Sequence, residues 1–139
     1  TTYSIAGRYH HRLKDGTPVT DYARLSDKLI QHVIALIDEL NPKYWYIENP
    51  RGKLHLMPFM NPSLKHFVTY CQYGDFRMKP TNIWTNHPSP NFKPHCQNGA
   101  PCHEPAPRGS KTGTQRLKNA LLRSIIPRDL CMHIVEVST

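Results

Sequence analysis

The chain has 139 residues, a hydrophobic fraction of 38%, 13 prolines and a formal net charge of +8. That length suits one modest domain with a single core, and the prolines predict a sizeable irregular segment beside it. No N-terminal apolar run resembles a signal peptide and no stretch reaches the ~18 apolar residues of a membrane span, so no membrane partner is expected and a cytoplasmic location is.

Residues 1–20 read as a loop of small polar residues, then Arg8-Tyr9-His10-His11-Arg12 and Lys14-Asp15-Gly16. A helix follows, capped by Asp21 or Thr20, because a short side-chain acceptor satisfies a free N–H of the first turn. Leu25, Leu29, Val33, Leu36, Ile37 and Leu40 recur at three- and four-residue spacing and predict its apolar face. Asn41-Pro42 ends the helix, since proline cannot continue it. Tyr44-Trp45-Tyr46-Ile47 is aromatic and β-branched and reads as a buried strand running into the turn Glu48-Asn49-Pro50.

His66 to Gln72 and Asn82 to Thr85 are two further strand candidates. Seven of the 13 prolines fall between Pro80 and Pro107, so regular structure there should be brief. Gln115 to Ser124 predicts a short helix with Leu117, Leu121 and Leu122 facing inward. Pro127 suits the first turn of a last helix, with Leu130, Cys131, Ile134 and Val135 as its core face. A helix, a short turn and a buried strand form α/β grammar. Three strands with two or three helices make an incomplete sheet. Parallel sheets of that type are larger and covered on both faces, so missing strands would leave an apolar edge for a preceding segment or another chain. The division expected is a core over 1–79, an irregular Cys/His-containing region over 80–114 and closing helices over 115–139.

Three constellations carry chemistry. Glu48-Asn49-Pro50 sits where a buried strand ends, which is where open α/β sheets place ligands. A carboxylate there, partly desolvated, would have a raised pKa and could donate a proton to a ring nitrogen. Cys96 and Cys102-His103 lie in a Gly/Pro-rich loop with His87 and His95 close by. Cys/His sets suit tetrahedral zinc, and Cys96, Cys102, His103 and His87 form the expected set. The Cys-x5-Cys-His spacing is not that of a standard finger, and free thiols with loop histidines are the other reading. Cys71 and Cys131 read as packed thiols. Finally, Arg108, Lys111, Arg116, Lys118, Arg123 and Arg128 form a run with no acid between Glu104 and Asp129. Such a strip suits phosphate contact or a solvated cationic face.

Taken with these later pieces, Thr1-Thr2-Tyr3-Ser4-Ile5-Ala6-Gly7-Arg8 resembles the stretch after the nucleophile of DNA cytosine-5 methyltransferases. There a Pro-Cys-Gln signature precedes an aromatic residue, Ser and an Ala-Gly-Arg-like run. Thr1 takes the Gln place, which puts the family's cysteine immediately ahead of it. The helix from Asp21 to Leu40 and the strand into Glu48-Asn49 are similar to the route to the Glu-Asn-Val motif, with Pro50 replacing Val. Tyr73-Gly74-Asp75-Phe76-Arg77-Met78-Lys79-Pro80-Thr81 resembles Tyr-Gly-x-x-Gln-x-Arg-x-Arg, with Arg77 in the Gln slot, Lys79 in the first Arg slot and Thr81 in the second. Ser124 to Cys131 resembles the closing Asn-x-Val-Pro-type segment and its helix. The motif order covers nearly the whole chain and looks closest to short phage-type and bacterial members.

The resemblance implies a partial Rossmann-like methyltransferase sheet, and the irregular Cys/His loop, zinc-stabilised if those side chains hold an ion, is then an insertion where the family recognises its target. It implies methyl transfer from S-adenosylmethionine to a cytosine flipped out of double-stranded DNA, a step that costs a few kcal/mol of unstacking. Such DNA methylation belongs to restriction-modification systems. Glu48, Asn49, Arg77 and Lys79 would serve catalysis, with Glu48 stabilising charge at N3. Asn49, Pro50, Ser124 and Ile126 would line the cofactor. Arg8 and Arg12, on a loop closing over DNA, and Arg108, Lys111, Arg116, Lys118 and Arg123 would contact DNA. The attacking cysteine and a Gly-rich cofactor loop are not among these residues, so the chain alone is expected to be inactive, completed by a missing N-terminal half or another copy. Two rival readings are a Cys/His-rich metal-dependent nuclease using His10, His11 and the His87–His103 cluster, and a non-catalytic DNA-binding module.

Overall fold

The computed structural model describes residues 2–5, 8–106, 117 and 119–139. A short helix α1 (Arg8–His11) precedes the long helix α2 (Asp21–Leu40). Three strands follow, β1 (Tyr46–Pro50), β2 (Lys65–Thr69) and β3 (Pro80–Thr85), then helices α3 (Ala120–Ser124) and α4 (Arg128–Ser138). Short 3-10 turns at Leu54–Leu56, Pro62–Leu64 and Tyr70–Tyr73 link the strands.

The ends of α2 follow from its sequence. Thr20 is the cap, its side chain accepting from the Ala23 N–H at 3.2 Å. Asn41 closes the helix in the left-handed region at φ 41, a conformation asparagine tolerates, and returns its N–H to the Ile37 carbonyl at 2.9 Å. The buried face is not the leucine stripe. Ala23 is fully buried and Ile30 and Ile34 pack on the core, whereas Leu25, Leu29 and Leu40 are 62%, 60% and 72% exposed. Asp27, on the same side as Ile30 and Ile34, is drawn inward by Arg12 and Tyr3, and that contact sets the rotation of the helix.

The strand order is β1-β3-β2, and β3 is antiparallel to both neighbours. The fold is therefore α/β around a small antiparallel three-stranded sheet, where a parallel one was expected. β1 and β2 run the same way on either side of a reversed central strand. β1 continues through Pro50, so Glu48 and Asn49 lie within the strand and not in a turn after it. Pro50 ends the strand at the sheet edge, where its missing N–H is harmless.

Side chains alternate across the sheet. Trp84 faces one layer with Tyr3, Leu54, Met57 and Met60, backed by Ile30 and Ile34 of α2. Ile83 faces the other with Val68, Tyr70, Tyr73 and Leu130 of α4. Thr2 and Tyr3 are core residues and not a free loop. The Lys53 N–H donates to the Tyr3 carbonyl at 2.7 Å, and a Cβ on Gly52 would come within 2.0 Å of that oxygen, so glycine is required there.

Later elements also differ from expectation. α3 begins at Ala120, capped by Asn119, which accepts from the Leu121 N–H at 2.8 Å. Leu121 and Leu122 face outward. On α4, Leu130 is fully buried and Ile134 packs beside it, but Cys131 and Val135 are exposed. No helix among the described residues is long and apolar enough to cross a membrane.

Candidate functional site

β1 and the Tyr70–Tyr73 turn meet at Glu48. By register Glu48 pairs with Ile83 and so faces the α4 side of the sheet, where the Tyr70 hydroxyl donates to its Oε1 at 2.8 Å. Oε2 has no hydrogen-bond partner among the described residues. Burial pushes the Glu48 carboxyl above its ordinary value, against the lowering effects of the Tyr70 hydrogen bond and the Lys79 charge. The Lys79 ammonium stands 4.4 Å over the Tyr70 ring and donates to the Arg123 carbonyl at 2.7 Å. Burial lowers its pKa, with Glu48 acting in the opposite sense. The Lys79 backbone has φ 34, a strained region for a side chain of this size.

Asn49 does not join Glu48. Adjacent strand residues project to opposite faces, and its amide is taken by the Pro50 carbonyl at 2.8 Å. Arg77, expected at the substrate base, is buried. Its Nε and Nη2 donate to the Asp75 carboxylate at 3.0 and 2.5 Å, and Nη1 reaches the Arg123 carbonyl at 3.4 Å. Burial works against the Asp75 charge, but these bonds hold its carboxyl below the usual range. Arg77 thus braces the turn that precedes Lys79.

Arg12 is likewise internal. Its Nη2 lies 2.6 Å from Asp27 Oδ1 and also donates to Thr2 Oγ1 and the Ala23 carbonyl, while Nη1 donates to the Gly16 carbonyl. The loop expected to close over DNA is a tight turn, with Leu13 N–H to Thr17 O at 2.9 Å and Val19 N–H to His11 O at 2.9 Å. Arg8 opens α1, but its side chain lies outside the described residues, as do Arg108, Lys111, Arg116 and Lys118. Arg123 is half-buried, its Nη1 donating to the Leu117 carbonyl at 2.9 Å. Ser124 is exposed and tied to the Leu121 carbonyl at 2.7 Å, and Ile126 is 37% exposed.

A second constellation lies at the other end of the same turn. Cys71, Cys96, Cys102 and His103 bring three sulfurs and one ring nitrogen within 4.8 Å of one another, a set that could hold a metal ion such as zinc. Three of these were expected. The fourth is Cys71, not His87. The His87 Nε2–H donates to the Val137 carbonyl at 2.9 Å, while Nδ1 accepts from the Ser89 N–H at 3.1 Å, so both ring nitrogens are occupied. Cys71 was read as a packed thiol because it sits 25 residues before Cys96, in a segment read as strand. Without an ion, burial and the hydrogen bond with Cys96 push the Cys71 thiol up to about 12. A bound metal reverses that, since a coordinating thiol is deprotonated outright.

The chain has no match among protein-family models, curated proteins or solved structures.

Proposed function

We propose that this chain forms the second half of a DNA cytosine-5 methyltransferase catalytic domain, with Glu48 as the carboxyl that meets the target base. The observation that carries this reading is the Glu48 environment. It is a half-buried carboxyl with raised pKa, bonded by Tyr70 on one oxygen only. A protonated carboxyl is both donor and acceptor. Protonated on Oε2, the carboxyl can donate to a ring nitrogen while Oε1, which has a second lone pair beside the one Tyr70 uses, accepts from the neighbouring exocyclic amine, matching the polar edge of cytosine. Strengthening that bond as negative charge develops on the ring is transition-state stabilisation. Lys79 sits close enough to bias the proton without occupying the free oxygen.

The outward leucine stripe of α2 is in keeping with a half-domain that rests against another body. S-adenosylmethionine would supply the methyl group. The residues expected to line it do not form a shared pocket: Asn49 and Pro50 point to opposite faces, and Ser124 is tied to its own helix. No step is derived through the cofactor, and this chain contributes the base-holding side of the site. The nuclease reading is the weaker one in one respect: His87 is tied to α4 by the Val137 carbonyl and does not join the Cys96, Cys102 and His103 cluster.

The test is methyl incorporation into DNA by the full encoded protein and its Glu48→Gln and Glu48→Ala variants. The expected loss is ~100- to 1000-fold in kcat with DNA affinity unchanged. Near-normal turnover by Glu48→Ala would overturn the role of Glu48. DNA binding without methyl transfer by the unaltered protein would point instead to a non-catalytic module.

A further inference from the structure

We propose that Cys71, Cys96, Cys102 and His103 bind one Zn²⁺ in a closed structural site that fastens residues 86–104 to the turn after β2. The reasoning is independent of methyl transfer. Zinc–sulfur bonds of about 2.3 Å and zinc–nitrogen bonds of about 2.0–2.1 Å, at tetrahedral angles, separate two sulfurs by about 3.8 Å and a sulfur from a nitrogen by about 3.6 Å. The Cys102–Cys71 sulfurs are 3.6 Å apart and the Cys71–Cys96 sulfurs 3.1 Å. His103 Nδ1 is 3.6 Å from the Cys96 sulfur and 3.7 Å from the Cys102 sulfur. Three of these four edges fall within about 0.2 Å of the ideal tetrahedron, and the short one needs only a small outward shift of Cys71 or Cys96. Disulfide sulfurs, by contrast, lie about 2.0 Å apart.

The surroundings suit an ion. Cys71, Cys96 and His103 are buried. The Gln72 amide donates toward the Cys102 sulfur at 3.5 Å, and Thr69 Oγ1 accepts from the Cys96 N–H at 3.0 Å. Such contacts steady thiolate ligands. Gly99, at φ 86 with open space around it, lets the chain reverse between Cys96 and the Cys102-His103 pair. Residues 86–104 hold no helix or strand, and a segment that buries so little apolar surface needs another anchor. Four protein ligands leave no open position, so the site is structural and not hydrolytic. Binding displaces the three thiol protons to solvent, with no change of oxidation state.

The test is metal analysis of the full encoded protein, purified without added metal, followed by replacement with Co²⁺. One zinc per chain is expected, and the cobalt form should show tetrahedral d–d bands with thiolate charge transfer. Cys96→Ser and His103→Ala should lose the metal, while Cys131→Ser and His87→Ala should keep it. A metal-free protein with reactive thiols overturns the proposal, as do a disulfide among Cys71, Cys96 and Cys102, iron with acid-labile sulfide, or full zinc retention in Cys96→Ser. If the variants fail to fold, the cobalt spectrum of the unaltered protein decides, and absence of the thiolate band refutes the site.

Discussion

Replacing Arg12 with Met separates a structural arginine from a DNA-contacting one. The side chain is fully buried against Asp27, whose own side chain keeps 16% exposure. Its guanidinium carbon stands 4.0 Å over the Tyr3 ring, and its nitrogens serve Asp27, Thr2, Gly16 and Ala23. Removing it leaves a carboxylate, a hydroxyl and two carbonyls without that donor. Deleting one partner of a buried ion pair costs ~3–5 kcal/mol. Asp27 retains some water and the Tyr3 hydroxyl at 2.5 Å, so the low end applies, about 3 kcal/mol. In a domain of this size each kcal/mol moves the melting midpoint by roughly 3–5 °C, so Arg12→Met should melt about 10–15 °C lower. The urea midpoint should fall by about 1–2 M. Asp27→Asn in the same background should cost less than in the native chain, since the pair is already broken. A phosphate-contacting arginine behaves differently. Its loss would leave stability within about 0.5 kcal/mol and make the salt dependence of DNA binding shallower by ~0.9 in log–log slope. An unchanged midpoint with that shallower slope would refute the internal role.

The remaining predictions concern Glu48 and the outer face of α2. The Glu48 pKa is raised in the fold, chiefly by burial, with Tyr70 and Lys79 as the facing groups that lower it. A raised folded value means that the stability Glu48 contributes is fully present below the ordinary carboxylate pKa and is lost as pH rises through the folded value. Glu48→Gln removes that loss, so urea midpoints of variant and native protein should diverge in the variant's favour as pH rises above the ordinary carboxylate pKa of about 4.3. Parallel profiles would show that Glu48 is not held in its neutral form. On α2, Leu25→Ala and Leu29→Ala remove exposed side chains, which predicts a change within about 0.5 kcal/mol if the face stays open. If another part of the full protein covers it, each should cost roughly 2 kcal/mol or more in that protein, measured by denaturant titration. Near-neutral effects there would refute a covered face.

The ends of α2 were legible because capping is local chemistry: Thr20, Asn41 and Pro42 each act within a turn of where they stand. The strands were legible as aromatic and β-branched runs, but alternation says nothing about direction, and the helix–turn–strand order pointed to a parallel sheet where the strands are antiparallel. The rotation of α2 was missed because the helix carries two apolar faces. Periodicity counts the leucines, while the choice between faces is made by Asp27 reaching Arg12 and Tyr3. Arg12 was read as solvent-facing because its partner is 15 residues away. Arg77 was read as a base-contacting residue from its slot in the Tyr-Gly motif, although its partner Asp75 is only two residues distant. Nothing in the spacing of charges distinguishes a closed ion pair from a binding residue. The Cys/His loop was legible as a metal candidate, but its fourth ligand came from the end of a strand, outside the local window.

The Tyr70–Tyr73 turn joins the two candidate sites. Tyr70 reaches Glu48, Cys71 belongs to the Cys/His cluster, Gln72 points to Cys102, and the Tyr73 hydroxyl accepts from the Lys93 N–H at 2.8 Å. Gly74, in the left-handed region at φ 84, closes the turn. Consecutive residues of one 3-10 turn thus face the Glu48 carboxyl on one side and the irregular segment on the other. Fixing Cys71 therefore also fixes the backbone that carries Tyr70. The Arg77–Asp75 pair then locks the next stretch, and Lys79 is held between the Tyr70 ring and the Arg123 carbonyl. Arg77 and Asp75 pair with each other and Lys79 is taken by a carbonyl and a ring face, while Glu48 has only its Oε1 bonded, by Tyr70. A site of this kind depends on the turn being rigid, which is what a four-ligand metal centre at Cys71 would supply.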